Sequence, residues 1–429
     1  MAIQNEGFAT RPLPVIRSSA ALAQTLAPEA PPTRVMYYCH DTFGLGHLRR
    51  TLKVAGALSS RWPHLSQLIV TGSSVADRFE IPPGVDYVKL PAVVKVGEDT
   101  YEARSLALPF DAVRDLRREI VTGAAARFRP DLLLVDHAPA GLAGEVLPAL
   151  SHLREHSPHT RLVLGLRDVI DAPERVRRSW ERDHVHRLLD HVYDLIVVYG
   201  RQEVFDVVKE YGLSERAARK VNYVGYLGGP SAPRSSKEIR AELGIGPDQR
   251  LVLVTAGGGG DGHAVLKTAI EAARQSSADD TVWVIVTGPL MPAADRAALA
   301  TRSAGIAGVS VIEFVDDMPS LMAAADAVVS MGGYNSVCEL LATAPPTLLV
   351  PRIRPRREQI IRAHALGERG LLRVLEPQSL TPTRLLAEVR GLIDDPPHGE
   401  RLTLDGLLAL TEAFGSLLAP MAARTTGRA

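Results

Sequence analysis

Residues 331–363 read MGGYNSVCELLATAPPTLLVPRIRPRREQIIRA, a run that predicts a glycine turn, a helix, a strand, a basic loop and a second helix. Gly332 and Gly333 allow a tight turn and close backbone approach, and the helix they open offers free N–H groups to an anion. Asn335 and Ser336 stand in its first turn. Glu339 lies a turn further in, where two carboxylate oxygens match the two donors of a vicinal diol. The strand predicted over 347–350 ends at Pro351, and Glu358 and Gln359 follow it, where open α/β sheets take ligands. Taken singly, each residue has a plainer role in an ordinary strand–turn–helix, with Glu339 a solvated helix residue. Together they suit a grip on a nucleotide sugar, with the ribose on Glu339 and sugar hydroxyls on Glu358 and Gln359.

Outward from this run, short apolar or β-branched segments alternate with helical patterns, the signature of parallel sheets wrapped by helices. One set lies at 35–39, 68–71, 85–90, 132–135, 162–166 and 195–199; a second lies at 251–255, 282–287, 309–314, 327–330 and 347–350. The fold class is therefore α/β, with two Rossmann-like domains. The Gly- and Pro-rich stretch 224–233 reads as a linker, placing one domain at 33–228 and the other at 229–398. Residues 1–32 read as a flexible tail. Residues 399–429 read as a last helix, bearing Leu404, Leu407, Leu408 and Leu418, with a flexible end.

Each half opens on a glycine loop. In TAGGGGDGH (255–263), Gly257, Gly258, Gly259 and Gly260 expose N–H groups to a diphosphate, and the dipole of the helix at 264–275 adds to the attraction. In HDTFGLGHLRR (40–50), Gly44 and Gly46 free the backbone ahead of a helix with Leu48, Leu52, Ala55 and Leu58 on one apolar face. A dinucleotide fingerprint needs a third glycine and a later acid, and a Walker A loop needs Gly-Lys-Ser/Thr; both are missing. His47 starts the helix at a strand's carboxyl end, and an imidazole titrates near neutral pH, so it is a candidate general base. Its plainer role is a capping or core histidine. Asp136 and Asp168 each follow a predicted strand, and either could orient it. His137, Glu145 and Arg167 are further cleft candidates, with a local Arg167–Asp168 ion pair as the plainer reading. Arg352, Arg354, Arg356 and Arg357 either hold anionic groups or form a solvated charge run.

Lys plus Arg and Asp plus Glu both number 49 in 429 residues, so overall charge gives no reason to expect a nucleic-acid partner. Cys39 and Cys338 lack metal-ligand spacing and read as small core residues in a reducing compartment. No apolar run is long enough to span a membrane and no signal-peptide pattern opens the chain, so a cytoplasmic location is expected. Residues 92–118 combine VVKV and LALPF with a basic helix bearing Arg114, Arg117 and Arg118, which suits a membrane's inner surface or an ordinary lid.

The motifs resemble the donor-binding signature of GT-B glycosyltransferases, in particular the family 28 enzymes that add GlcNAc to a lipid-linked muropeptide. The likeness is carried by 250–375 and more weakly by 34–60. It implies two domains facing across a cleft and a last helix packed back on the first. It further implies a UDP-sugar co-substrate with no other cofactor and no catalytic metal. In that family the helix glutamate holds the UDP ribose, pointing to Glu339, and paired glutamines contact the donor sugar, pointing to Glu358 and Gln359, the first being Glu here. The family's glycine loop points to Gly257, Gly258, Gly259 and Gly260 as diphosphate contacts. EFVDDMP (313–319) resembles the segment whose backbone reads uracil, pointing to Phe314 and Val315. Gly44-Leu-Gly-His47 matches the acceptor domain's glycine loop and histidine, with Gly44 and Gly46 beside the donor and His47 as base. The expected reaction is inverting transfer of a hexosyl or N-acetylhexosaminyl group to a hydroxyl of a lipid-linked or small glycoconjugate acceptor. Rival readings are a UDP-GlcNAc 2-epimerase-like enzyme and a non-catalytic nucleotide-sugar binding subunit.

Overall fold

The computed structural model describes residues 33–39, 46–74, 76–97, 100–228, 232–276 and 280–418. Strand β1 (Arg34–Cys39) alternates between two apolar clusters, Val35, Tyr37 and Cys39 on one face and Met36 and Tyr38 on the other. A strand buried on both faces belongs inside a parallel sheet covered by helices. Its companions are β2 (Ser66–Thr71), β3 (Val85–Lys89), β6 (Leu132–Asp136), β7 (Arg161–Arg167), β8 (Leu195–Tyr199) and β9 (Val221–Tyr223), paired in parallel in the order β3-β2-β1-β6-β7-β8-β9. Between β3 and β6 lies an antiparallel hairpin, β4 (Val93–Lys95) with β5 (Tyr101–Ala103).

The second sheet is also parallel: β10 (Arg250–Thr255), β11 (Thr281–Val286), β12 (Val309–Ile312), β13 (Ala327–Ser330), β14 (Thr347–Leu349) and β15 (Arg373–Val374), in the order β12-β11-β10-β13-β14-β15. In each sheet the chain starts centrally, winds outward one way, then returns to wind the other. The crevice at that reversal, between β1 and β6 and between β10 and β13, is where such sheets receive ligands.

Six helices matter for the site: α1 (Gly46–Arg61), α2 (Phe110–Phe128), α3 (His263–Gln275), α4 (Tyr334–Thr343), α5 (Glu358–Gly367) and α6 (Gly406–Leu418). α1, α4 and α5 start at the crevices and are the helices next in the chain after β1, β13 and β14. α6 comes back onto α1, burying Phe414 and setting Gly415 against Trp62. One apolar cluster therefore runs unbroken from Val35 and Leu52 through Tyr226 and Tyr334 to Leu253 and Leu349, across both sheets.

Several expectations change. Residues 224–228 are packed rather than linker-like: Val224, Tyr226 and Leu227 are buried, because their apolar side chains fill the seam between the sheets. The chain leaves the first domain after Gly228 and returns through Leu404, and the two crossings touch. A Cβ on Gly228 would sit 3.1 Å from that of Leu404, and one on Gly406 would sit 2.4 Å from the Tyr226 carbonyl oxygen. The strand expected to reach residue 314 stops at Ile312, and the hairpin, β9 and β15 were too short for a period to reveal. The boundary at 229, the tail 1–32 and the end 419–429 lie outside the described residues.

Candidate active site

The loop after β10 folds back tightly on residues 287–288. Gly257 and Gly259 have φ of +64° and +92°, and a Cβ on Gly259 would lie 2.1 Å from the Thr287 carbonyl oxygen, so the loop's path demands glycine there. The four glycines do not all present their N–H groups as expected. That of Gly257 donates to Thr255 Oγ1 and that of Gly259 to the Ala256 carbonyl. Those of Gly258 and Gly260 have no such use among the described residues and are the ones a ligand can take. α3 begins at once with no side-chain cap, so its first N–H groups reinforce the same anion site. His263, at that start, is half-buried and 3.8 Å from Asp295.

After β13 the chain turns on Gly332, φ +78°, and α4 starts at Tyr334, again uncapped by any side chain. Asn335 Nδ2 donates to the Gly46 carbonyl at 3.3 Å, tying this start to that of α1. Ser336 and Glu339 line the cleft. Glu339 is not solvated: it is buried, with Oε1 3.4 Å from Arg49 Nη2 of the opposite domain. Phe314 and Val315 form part of the wall, and the Phe314 ring is exposed.

At the start of α5 the expected pair separates. Gln359 faces the cleft and accepts from the Arg352 N–H at 3.0 Å. Glu358 lies behind it, in a 2.5 Å ion pair with Arg352, whose other nitrogen reaches Asp261 of the glycine loop at 2.6 Å. Arg352 thus braces two elements of the site, while Arg354 and Arg357 are exposed.

On the opposite wall, His47 stands in the first turn of α1 with Nδ1 2.6 Å from Asp136 Oδ2. Arg50, one turn on, grips both oxygens of the same carboxylate at 2.7–3.0 Å. Burial alone would raise the pKa of Asp136, but the Arg50 charge and the bond from His47 hold it well below the usual carboxylate range. The carboxylate therefore stays ionised and must accept, so Nδ1 carries the proton and Nε2 the lone pair. The 3.1 Å approach of Arg50 Nη2 to Nδ1 is then a contact between two donors. Burial lowers the pKa of His47 below 6.5, and Arg50 and Arg167 push the same way against Asp136. The shift favours the neutral imidazole.

Asp168 does not orient His47, and the expected Arg167–Asp168 pair is absent among the described residues. Instead, Asp168 takes two 2.7 Å hydrogen bonds from Arg362 of α5 and one of 3.1 Å from Tyr226. Arg362 also donates to the Gly332 carbonyl at 3.2 Å. Between Arg50 and Arg362 lies the Tyr334 ring, 5.5 Å and 5.7 Å from the two guanidinium carbons. Sequence reasoning missed Arg50, Tyr334 and Arg362; the signal available was an arginine one helical turn after each of His47 and Glu358. Glu145 is also displaced. It lies away from the cleft, fully buried, held at 2.6–2.7 Å by Arg117 and at 2.7 Å by Tyr38. Arg117 is likewise removed from the exposed basic face expected of α2. Gly46 and Gly333 line the cleft, Gly332 sits behind its wall, and Gly44 lies outside the described residues.

Residues 251–402 match the glycosyltransferase family 28 C-terminal domain. The matched stretch carries the second sheet and the glycine-loop side of the cleft. The UDP-N-acetylglucosamine–N-acetylmuramyl-(pentapeptide) pyrophosphoryl-undecaprenol N-acetylglucosamine transferase of Nocardioides sp. is 28% identical over 326 residues, covering 67% of this chain and 87% of that one. The enzyme of the same name from Corynebacterium efficiens is 26% identical over 201 residues, 47% of this chain and 53% of the other. The chain spans about half the length of most curated relatives it matches. The crystal structure of Acinetobacter baumannii MurG superposes with a TM-score of 0.55 at 14% identity, covering 90% of this chain and 100% of that chain, a likeness of fold.

Proposed function

We propose that the protein transfers a hexosyl or N-acetylhexosaminyl group from a UDP-sugar to an acceptor hydroxyl. The observation that carries this reading is one cleft in which a glycine loop and Glu339 of one domain face a neutral, Asp136-oriented His47 of the other. The Gly258 and Gly260 N–H groups and the starts of α3 and α4 receive the diphosphate. Glu339 takes the ribose hydroxyls, the backbone of Phe314 and Val315 the uracil edge, and Gln359 the sugar. His47 Nε2 removes the acceptor proton as that oxygen bonds to the anomeric carbon. The bond to the diphosphate breaks, and its electron pair leaves with UDP. A single displacement of this kind inverts the anomeric centre. Because the amides and helix ends meet the growing negative charge, activity is expected to persist in a chelator.

A lipid-linked acceptor at the inner face of a membrane is supported by the surface around the hairpin. Val96, Leu106, Leu108 and Leu116 are exposed there, close in sequence to Arg104, Arg114 and Arg118. No helix among the described residues is long and apolar enough to cross a membrane, so contact with lipid would be peripheral.

Calorimetry with UDP tests the donor site. UDP is expected to bind and NADH not to, and Glu339→Ala should weaken UDP by about 10–100-fold, the worth of hydrogen bonds to a charged group. Undiminished UDP affinity in that variant would remove Glu339 from the site. Consumption of UDP-sugar with no acceptor present would point to epimerisation instead. The pH profile is a second check. A base whose pKa is lowered remains deprotonated further into acid, so the acid limb of kcat/KM is expected below pH 6.5. A limb above that value would mean that another group supplies it.

A further inference from the structure

Most cations around His47 are matched by carboxylates: Arg50 by Asp136, Arg362 by Asp168, and Arg352 by Asp261 and Glu358. Arg167 is not. It lines the cleft at the carboxyl end of β7, yet makes no ion pair among the described residues, and its buried Nε has no hydrogen-bond partner. Its Nη2 donates to His137 Nε2 at 2.9 Å, and a nitrogen that accepts belongs to a neutral imidazole, which brings no negative charge. Burial, followed by the like charge of Arg50, pushes the Arg167 pKa down to about 10, with Arg356 and Arg362 adding to the effect against the pull of Glu358. It is still a cation at neutral pH, partly withdrawn from water, and such a charge is costly until a counter-charge arrives.

The donor does not need to supply that counter-charge. Its diphosphate has the glycine loop and two helix starts of the second domain, whereas Arg167 belongs to the first domain, beside His47. The positive surface also runs away from the donor. Arg356, near enough to depress Arg167, joins Lys95, Arg175, Arg178 and Arg182 in the wall of a second cleft, against a single carboxylate, Asp171, which Arg175 approaches at 3.6 Å. Neither Arg356 nor Arg178 forms an ion pair among the described residues.

We propose that Arg167 binds an anionic oxygen group, phosphoryl or carboxylate, carried by the acceptor close to its attacking hydroxyl, and so selects which acceptors are used. This inference rests on the glycosyl-transfer reading above. It is tested by following the His47 imidazole by NMR through a pH titration, in full-length protein saturated with UDP, with inorganic phosphate and acetate as separate probes. An anion on Arg167 offsets the charge that disfavours the imidazolium, so the His47 midpoint should rise saturably. Phosphate acting alone would identify a phosphoryl group, and acetate acting alone a carboxylate. In Arg167→Gln the probe should bind about 10–100-fold more weakly, while Arg167→Lys should retain part of the response. No midpoint shift with either probe, or an equal shift in Arg167→Gln, would overturn the proposal. So would a loss of UDP affinity in an Arg167→Gln protein with an unchanged circular dichroism spectrum, which would make Arg167 a donor residue. UDP calorimetry on the wild type keeps the two readings apart, since failure there defeats glycosyl transfer itself.

Discussion

Replacing His47 with alanine is expected to lower kcat by about 10²–10⁴-fold, the usual worth of a positioned general base, with UDP affinity nearly unchanged. The separation follows from where His47 stands. It lies on the first-domain wall, and the donor contacts come from the second, so removing the imidazole deletes an interaction that strengthens only as the acceptor proton is transferred. Asp136→Asn should fall in the same range by a different route. The asparagine amide can turn a donor toward Nδ1, which moves the imidazole proton to Nε2 and removes the lone pair that has to act. Steady-state kinetics with a competent acceptor, alongside UDP calorimetry, reads both effects. An unchanged kcat in His47→Ala would end its assignment as base.

Asp168→Ala is expected to destabilise the protein by about 3–5 kcal/mol, because it leaves the Arg362 guanidinium buried without its counter-ion. Both side chains are almost wholly inaccessible and meet through two hydrogen bonds of 2.7 Å, bridging β7's end in one domain to α5 in the other. Most of the penalty is that of an orphaned charge rather than the net worth of the pair. Replacing both partners with apolar residues, Asp168→Leu with Arg362→Met, should therefore recover much of the loss. Urea unfolding midpoints of the two single variants and the double variant measure this. A cost below about 1 kcal/mol for Asp168→Ala would mean that water reaches the pair and screens it.

The second-domain wall of the cleft could be read from sequence because its parts are neighbours in sequence. Within 331–363 the turn at Gly332, the helix with Glu339 and the helix start with Gln359 lie within about thirty residues, and local rules of turn and helix fix their relative placement. The first-domain wall depends on strand order, which no local pattern contains. Asp136 rather than Asp168 meets His47 because β6 is the immediate neighbour of β1, with Cys39 in register with Asp136, whereas β7 is one strand further away. Arg50 and Arg362 escaped notice for the same reason: their carboxylates lie 86 and 194 residues away, and a helix pattern does not show which strand end it will face. Glu145 lies on the sheet's other face because its partners, Tyr38 of β1 and Arg117 of α2, are there, and no local pattern pairs residues so far apart in the chain.

The crossings at Gly225–Gly228 and Leu404–Gly406 touch, so the chain ties the two sheets together twice along one edge of their seam. At the tightest point there is no side chain, because Gly406 lies over the Tyr226 carbonyl. Asp168 and Arg362 fasten the same seam elsewhere, and any separation that parted them would have to expose two charges to water at once.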